Sequence, residues 1–174
     1  SPVPASIVKR RTEGVKAMLL PRGHEPMDNS AYPWLLAGAK TLSYAVNMAV
    51  LRYVQERGAD DAIFITDERR VLEGATSSVL VAKIEDGKKV LYTPEPSHGI
   101  LPGTTQGAVF EAARQAGWEL GFGPLYPQDL FESDGVWLAS SVRLIAPVTH
   151  LNGTALAHDP ELTATLLNYL AQQS

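Results

Sequence analysis

The chain has 174 residues, 45% hydrophobic and 20% charged, with a formal net charge of −4 and no block of lysine or arginine. That composition suits one folded domain, and it argues against disorder and against nucleic acid or an anionic membrane as the main partner. With no cysteine, there is no disulfide, thiolate metal ligand or cysteine nucleophile, and no apolar run is long enough to span a bilayer. A cytoplasmic protein is the resulting expectation, as no signal-peptide pattern opens the chain. The four histidines, His24, His98, His150 and His158, share no HExxH-like spacing, so no metal site is expected from them.

In chain order, the start Ser1-Pro2-Val3-Pro4 lacks a methionine, and Ser6–Leu20 reads as two short strands joined through Glu13-Gly14. Residues 1–20 are expected to be the tail of a preceding domain. Residues 21–33 are rich in Pro, Gly, Asp, Asn and Ser and read as an interdomain linker. Residues 34–174 then form the main domain.

Thr41–Arg57 is the clearest helix. Leu42, Ala45, Val46, Ala49, Val50, Tyr53 and Val54 recur at helical spacing as a core stripe, and Gly58 stops it. Lys40 sits just before it or in its first turn. If the helix reaches back that far, Lys40, Ser43, Tyr44 and Asn47 share a polar face that could line a site. Ala62–Thr66 is a strand, Asp67–Arg70 a charged turn, and Ser77–Ile84 and Val90–Thr93 are strands with a hairpin signal at Asp86-Gly87. Thr104–Ala116 is a helix stopped by Gly117, Trp118–Phe122 is extended, and Pro127–Glu132 is a short helix. Gly135–Ala139 and Leu144–Val148 are strands, and Pro160–Gln172 is a helix with Asp159 as N-cap. Mixed strands and helices without strict βαβ alternation predict an α+β (mixed α/β) fold and disfavour a doubly wound sheet.

Four stretches could carry chemistry: Lys40-Thr41-Leu42-Ser43, Leu72-Glu73-Gly74-Ala75-Thr76-Ser77-Ser78, Gly99-Ile100-Leu101-Pro102-Gly103-Thr104-Thr105, and Ser140-Ser141 after a strand. Singly, each has an ordinary reading. A lysine near a helix start is usually solvated, Glu-Gly can be a turn, Gly-Thr-Thr a cap, and Ser-Ser a polar strand end.

Together, in this order, they resemble the C-terminal domain of the fold-type-IV pyridoxal 5′-phosphate (PLP) enzymes. This is the class-IV aminotransferase family, which includes branched-chain and D-amino acid aminotransferases and aminodeoxychorismate lyase. The resemblance runs from about Trp34 to Val148. It implies the D-amino acid aminotransferase-like fold and PLP as cofactor. Lys40 would form the Schiff base with the cofactor aldehyde and shuttle a proton as a free amine. Glu73 would keep the pyridine nitrogen protonated. Thr104, Thr105 and Gly103, at the start of a helix, would receive the phosphate. Leu101 would pack on the ring face, Ser140 and Ser141 would lie near the phosphate and the substrate carboxylate, and Thr76 and Ser77 behind Glu73.

Ser43 replaces the family's asparagine, Gln106 its frequent arginine, and Thr104 the isoleucine of its loop. Tyr44 stands one residue early for the tyrosine that some members carry. The family's smaller N-terminal domain, which supplies a phosphate-binding arginine, has no counterpart in these residues.

Three functions follow from the resemblance. One is an aminotransferase acting on an amino acid and a 2-oxo acid through Lys40. Another is aminodeoxychorismate lyase, yielding 4-aminobenzoate and pyruvate for folate synthesis. The third is a domain inactive without its N-terminal partner. A homodimer is implied in the same way. Asn47 and the Glu-Gly-Ala-Thr-Ser stretch favour the transaminase.

Overall fold

The computed structural model describes residues 2–22, 36–94 and 104–173, without the side chains of residues 7 and 36–43. Five helices and nine strands are described: α1 (Ala5–Glu13), β1 (Val15–Pro21), α2 (Leu36–Gln55), β2 (Asp61–Ile65), β3 (Val71–Gly74), β4 (Ser78–Glu85), β5 (Lys88–Pro94), α3 (Thr104–Gln115), β6 (Glu119–Gly123), α4 (Pro127–Phe131), β7 (Gly135–Ser140), β8 (Leu144–Leu151), β9 (Thr154–Ala155) and α5 (Pro160–Gln172). The fold is α+β, as expected.

The strands form one mixed sheet in the order β3-β2-β1-β8-β7-β4-β5-β6, with β9 paired to β8. Pairings β1–β2, β1–β8 and β5–β6 are parallel, and the others are antiparallel. Both faces of the central strands are covered, so their sequences are continuously apolar rather than alternating. Along β4, Val79 and Val81 join one core cluster while Leu80 and Ala82 join the other. Along β7, Val136 and Leu138 divide from Trp137 and Ala139 in the same way. Helices α3 and α5 cover the second cluster through Val109, Phe110, Ala113, Leu162 and Leu166. On the other face, Leu125 and Leu130 close over β1, β2 and β8.

Most expected elements are present. Glu85 pairs with Lys88 across Asp86 (φ 52) and Gly87 (φ 79), the mirror-image tight turn that the Asp-Gly pair favours. Asp159 caps α5 by accepting the Glu161 amide at 3.0 Å.

The first expectation is overturned. Ala5–Glu13 is a helix, not a strand. The β-branched pair Ile7-Val8 suggests a strand, but Lys9, Arg10, Arg11 and Glu13 favour a helix, and Lys9 pairs with Glu13 one turn on at 3.6 Å. Gly14 (φ 82) ends the helix, its amide donating to the Arg10 carbonyl. A Cβ on Gly14 would lie 2.6 Å from Thr149 Cγ2 and 2.7 Å from the Pro147 carbonyl, so only glycine turns the chain here. The strand that follows, β1, is inserted between β2 and β8.

Helix α2 starts at Leu36, a turn earlier than expected, so Lys40 lies in its second turn. Its expected core stripe is corrected as well. Val54 is fully buried, but Val46 and Tyr53 are 44% and 43% exposed. Within the described residues α2 leans on β2, and Met48, Val50 and Leu51 are half-buried. Strands β3 and β9 are additions. Val71–Gly74 is short and holds the charged Glu73. β9 follows the Asn152-Gly153 turn, whose Asn-Gly pair is itself a hairpin signal. The linker residues 23–33, with His24, and Gly99–Gly103, with Leu101 and Gly103, lie outside the described residues.

Candidate functional site

A cleft of about 350 Å³ opens where the ends of β3, β4 and β7 meet α2 and α3. Glu73, Gly74, Ala75, Thr76, Ser77, Ser78, Thr104, Thr105, Ala139, Ser140, Ser141 and Asn47 line it. Seven residues expected from separate stretches of sequence thus share one wall system: Glu73, Thr76, Ser77, Thr104, Thr105, Ser140 and Ser141.

Each is set by local geometry. Glu73 is the penultimate residue of β3, and Gly74, the last, pairs with Ile63 of β2. The turn Gly74-Ala75-Thr76-Ser77 closes with the Gly74 amide donating to the Ser77 carbonyl at 2.9 Å. A Cβ on Gly74 would meet Ser77 Oγ, so glycine lets Ser77 fold over it. Ser77 Oγ is buried and has no hydrogen-bond partner among the described residues. Such a group is uncommon, because an unsatisfied buried hydroxyl loses water without compensation.

Thr104 and Thr105 begin α3, where first-turn amides lack intrahelical acceptors and the helix dipole favours an anion. Thr105 is buried and Thr104 exposed. Ser140 ends β7 and pairs with Leu144 of β8, so Ser141, Val142 and Arg143 form the hairpin loop. Ser140 Oγ accepts the Arg143 amide at 3.0 Å.

Glu73 is the electrostatic centre. Its carboxylate pairs with Arg22 at 3.2 Å, both side chains 23% exposed, and the Arg22 guanidinium also lies over the Phe64 ring. Burial raises the Glu73 pKa above its ordinary value, and the charge and hydrogen bond of Arg22 offset only part of that. An ionised Glu73 is therefore under-compensated and favours a further cation or N–H donor beside it.

Lys40 is placed by its backbone alone, and its side chain lies outside the described residues. Seven residues separate it from Asn47, about two helical turns, so the two occupy one face of α2. Asn47 lines the cleft, and its helical spacing from Lys40 is the signal that finds it. Tyr44 is 67% exposed and is not a cleft residue. Arg22, Asp61 and Arg143 were not legible as site neighbours, since their ion pairs join residues far apart in the chain. No group of three His, Asp or Glu among the described residues could hold a metal ion. No described helix is long and apolar enough to cross a membrane.

The amino-transferase class IV profile matches residues 8–151. The chain belongs to the class IV aminotransferase family. It is 48% identical over 163 residues to a bifunctional aminodeoxychorismate lyase / D-amino acid transaminase of Mycobacterium tuberculosis, covering 92% of this chain and 56% of that protein. Its fold matches a hypothetical aminotransferase of Mycobacterium tuberculosis in its PLP-bound form, with TM-score 0.85 and 44% identity over 99% of this chain and 59% of the other. A form of that aminotransferase with α-ketoglutarate and PMP matches with TM-score 0.84 and 46% identity, over 98% of this chain and 59% of the other. The chain thus spans little more than half the length of these family members.

Proposed function

We propose that the cleft is the cofactor side of a PLP site, and that the protein transfers an amino group from an amino acid to a 2-oxo acid with Lys40 as the cofactor-bearing lysine. The observation that carries this reading is the convergence of a raised-pKa carboxylate, a helix start and seven cleft hydroxyls on one space. The residues suit the cofactor. Ser77 Oγ is an orphaned donor beside the cleft, Glu73 favours a cationic neighbour, and hydroxyls at a helix start suit a phosphate.

When bound, the cofactor supplies an aldehyde for the amino group and a cationic ring that withdraws electrons from the substrate Cα. The residues do the rest. Glu73 keeps the ring nitrogen protonated. Thr104, Thr105 and the first amides of α3 would hold the phosphate, and the resemblance to the family assigns Gly103 and Leu101 to the same site. Thr76 and Ser77 support Glu73 from behind, and Ser140 and Ser141 hold the phosphate or the substrate carboxylate. Lys40 would be the residue that bears the cofactor and, as a free amine, the base that takes a proton from the substrate Cα.

The 48% identical relative favours a second reading, aminodeoxychorismate lyase, since its name joins that activity to D-amino acid transamination. The same lysine and carboxylate serve an elimination that releases pyruvate and 4-aminobenzoate. A third, that this chain alone is inactive, is supported by its share of the relatives' length. A homodimer belongs to the proposal, and the exposed Val46 and Tyr53, seven residues apart on one side of α2, are apolar surface that an interface would bury.

The test uses the full-length protein. PLP should give a visible lysine-bound absorbance that Lys40→Ala abolishes, and persistence of the band would refute the assignment. Aminodeoxychorismate is then supplied without a 2-oxo acid. Release of pyruvate and 4-aminobenzoate marks the lyase, and strict dependence on a 2-oxo acid with ping-pong kinetics marks the transaminase.

A further inference from the structure

We propose that Arg143, anchored on the buried Asp61, is a positioning residue that fixes the Ser140 hydroxyl as a donor to an anionic oxygen in the cleft. This rests on the reading of the cleft as a PLP site. The anion is a phosphate or a carboxylate, and both need the same hydrogen-bond donor.

The argument begins with one hydrogen. A serine hydroxyl has a single hydrogen and two lone pairs. Ser140 Oγ already accepts the Arg143 amide, so its hydrogen is free to donate elsewhere, and Ser140 lines the cleft. Where that hydrogen can reach is set by the loop Ser141-Val142-Arg143.

The loop is held more firmly than its exposure suggests. Val142 is 52% exposed, yet the Arg143 side chain is only 15% exposed and its Nη1 turns inward to Asp61 Oδ2. Asp61 is wholly buried, and its other oxygen accepts the Ala62 amide at 2.8 Å. From α1, Arg11 donates to the Arg143 carbonyl at 3.0 Å and to the Val142 carbonyl at 3.2 Å. Leu144 follows at φ 61, a left-handed conformation that a leucine adopts only where its surroundings impose it. A three-residue hairpin loop closed by a left-handed residue is a defined geometry, and here the tethers replace the usual glycine.

A buried ion pair is weak evidence for stability, because desolvation offsets the attraction. Its distinctive effect is to admit one arrangement. Neither Arg143 nor Asp61 lines the cleft, so any effect on ligands runs through the loop and Ser140.

The test compares Ser140→Ala, Arg143→Met, Arg143→Lys and the double variant Ser140→Ala/Arg143→Met in the full-length protein, well below each Tm. If the anion is the cofactor phosphate, Arg143→Met raises the Kd for PLP about tenfold and leaves pyridoxal binding unchanged. If it is the substrate carboxylate, Arg143→Met raises KM for the 2-oxo acid about tenfold at an unchanged Kd for PLP. In either case Ser140→Ala shows the same shift and the double variant no further one, while Arg143→Lys restores part. Should Arg143→Met fail to fold, Arg143→Lys carries the test, with a smaller shift that also vanishes in the Ser140→Ala background. Arg143 effects that add in full to Ser140→Ala, or that change Tm with both constants within about twofold of wild type, overturn the proposal. A wild-type protein that binds no PLP overturns the reading of the cleft itself.

Discussion

Glu73 sits between two demands. Burial disfavours its ionised form, while Arg22 at 3.2 Å favours it, and burial is the larger influence. A carboxyl whose pKa folding has raised contributes stability below its ordinary 4.5, and that contribution is lost as pH rises through the raised value. In its ionised form the group lacks full compensation, and a protonated ring nitrogen set beside it would supply the missing attraction. Glu73→Gln should lower kcat by about 10- to 100-fold, the range of a charge-assisted hydrogen bond, while the lysine-bound absorbance survives. The difference in PLP affinity between wild type and Glu73→Gln should be largest at neutral pH and shrink as pH falls towards and through the raised pKa of Glu73. A difference that stays flat down to 4.5, the ordinary carboxyl value, would show that Glu73 does not meet a cation. The type and order of these cleft residues were legible in sequence. The identity of their supports was not, because Arg22–Glu73 and Arg143–Asp61 each join segments that only the folded sheet brings together.

Among the elements, α5 depends on polar anchors as much as on Leu162 and Leu166. Trp137 Nε1 donates to Thr163 Oγ1 at 2.9 Å with both residues buried, and Trp118 Nε1 donates to Tyr169 Oη at 3.2 Å. Thr163→Val keeps the shape and orphans a buried indole N–H, so it should destabilise by about 1–3 kcal/mol. Thermal unfolding followed by circular dichroism should show a Tm lower by several degrees, about 2–4 °C per kcal/mol in a chain of this size. An unchanged Tm would mean that water takes the place of the hydroxyl. The helix itself was legible, since Asp159-Pro160 marks its start and its apolar spacing marks its face. Its partner was not, because Trp137 lies 26 residues away. The same contrast runs through the sheet. The β4–β5 hairpin was legible from Asp86-Gly87, a two-residue turn whose backbone demands are local. α1 was read as a strand although Lys9, Arg10, Arg11, Glu13 and the Gly14 stop favour a helix, and β3 is short and holds the charged Glu73.

At the scale of the whole molecule, β1 decides whether there is one sheet or two. It pairs in parallel with β2 on one side and with β8 on the other. Val15, Ala17 and Leu19 bury into the core cluster that β2, β4, β7 and β8 also build. Parallel neighbours are distant in sequence, so local spacing shows neither of these pairings. Removing them would expose two strand edges and an apolar face together, the arrangement that invites aggregation. A fragment of residues 22–174 should therefore not fold as a smaller version of the domain. It should lose cooperative thermal unfolding and elute as aggregate. In the intact chain, the amides of β1 should exchange as slowly as those of β7, because both open only with global unfolding. Rapid exchange across Ala17–Leu20, or a monomeric 22–174 fragment that melts cooperatively, would show that β1 is peripheral. The cleft gives the same experiment a functional readout. Glu73 is held by β3 against β2, and within the sheet β2 is joined to β8 through β1, with the Arg143–Asp61 ion pair as a further tie to the Ser140–Arg143 loop. Without β1 the carboxylate and the hydroxyls no longer share a frame, so the 22–174 fragment should bind PLP no better than an unfolded chain.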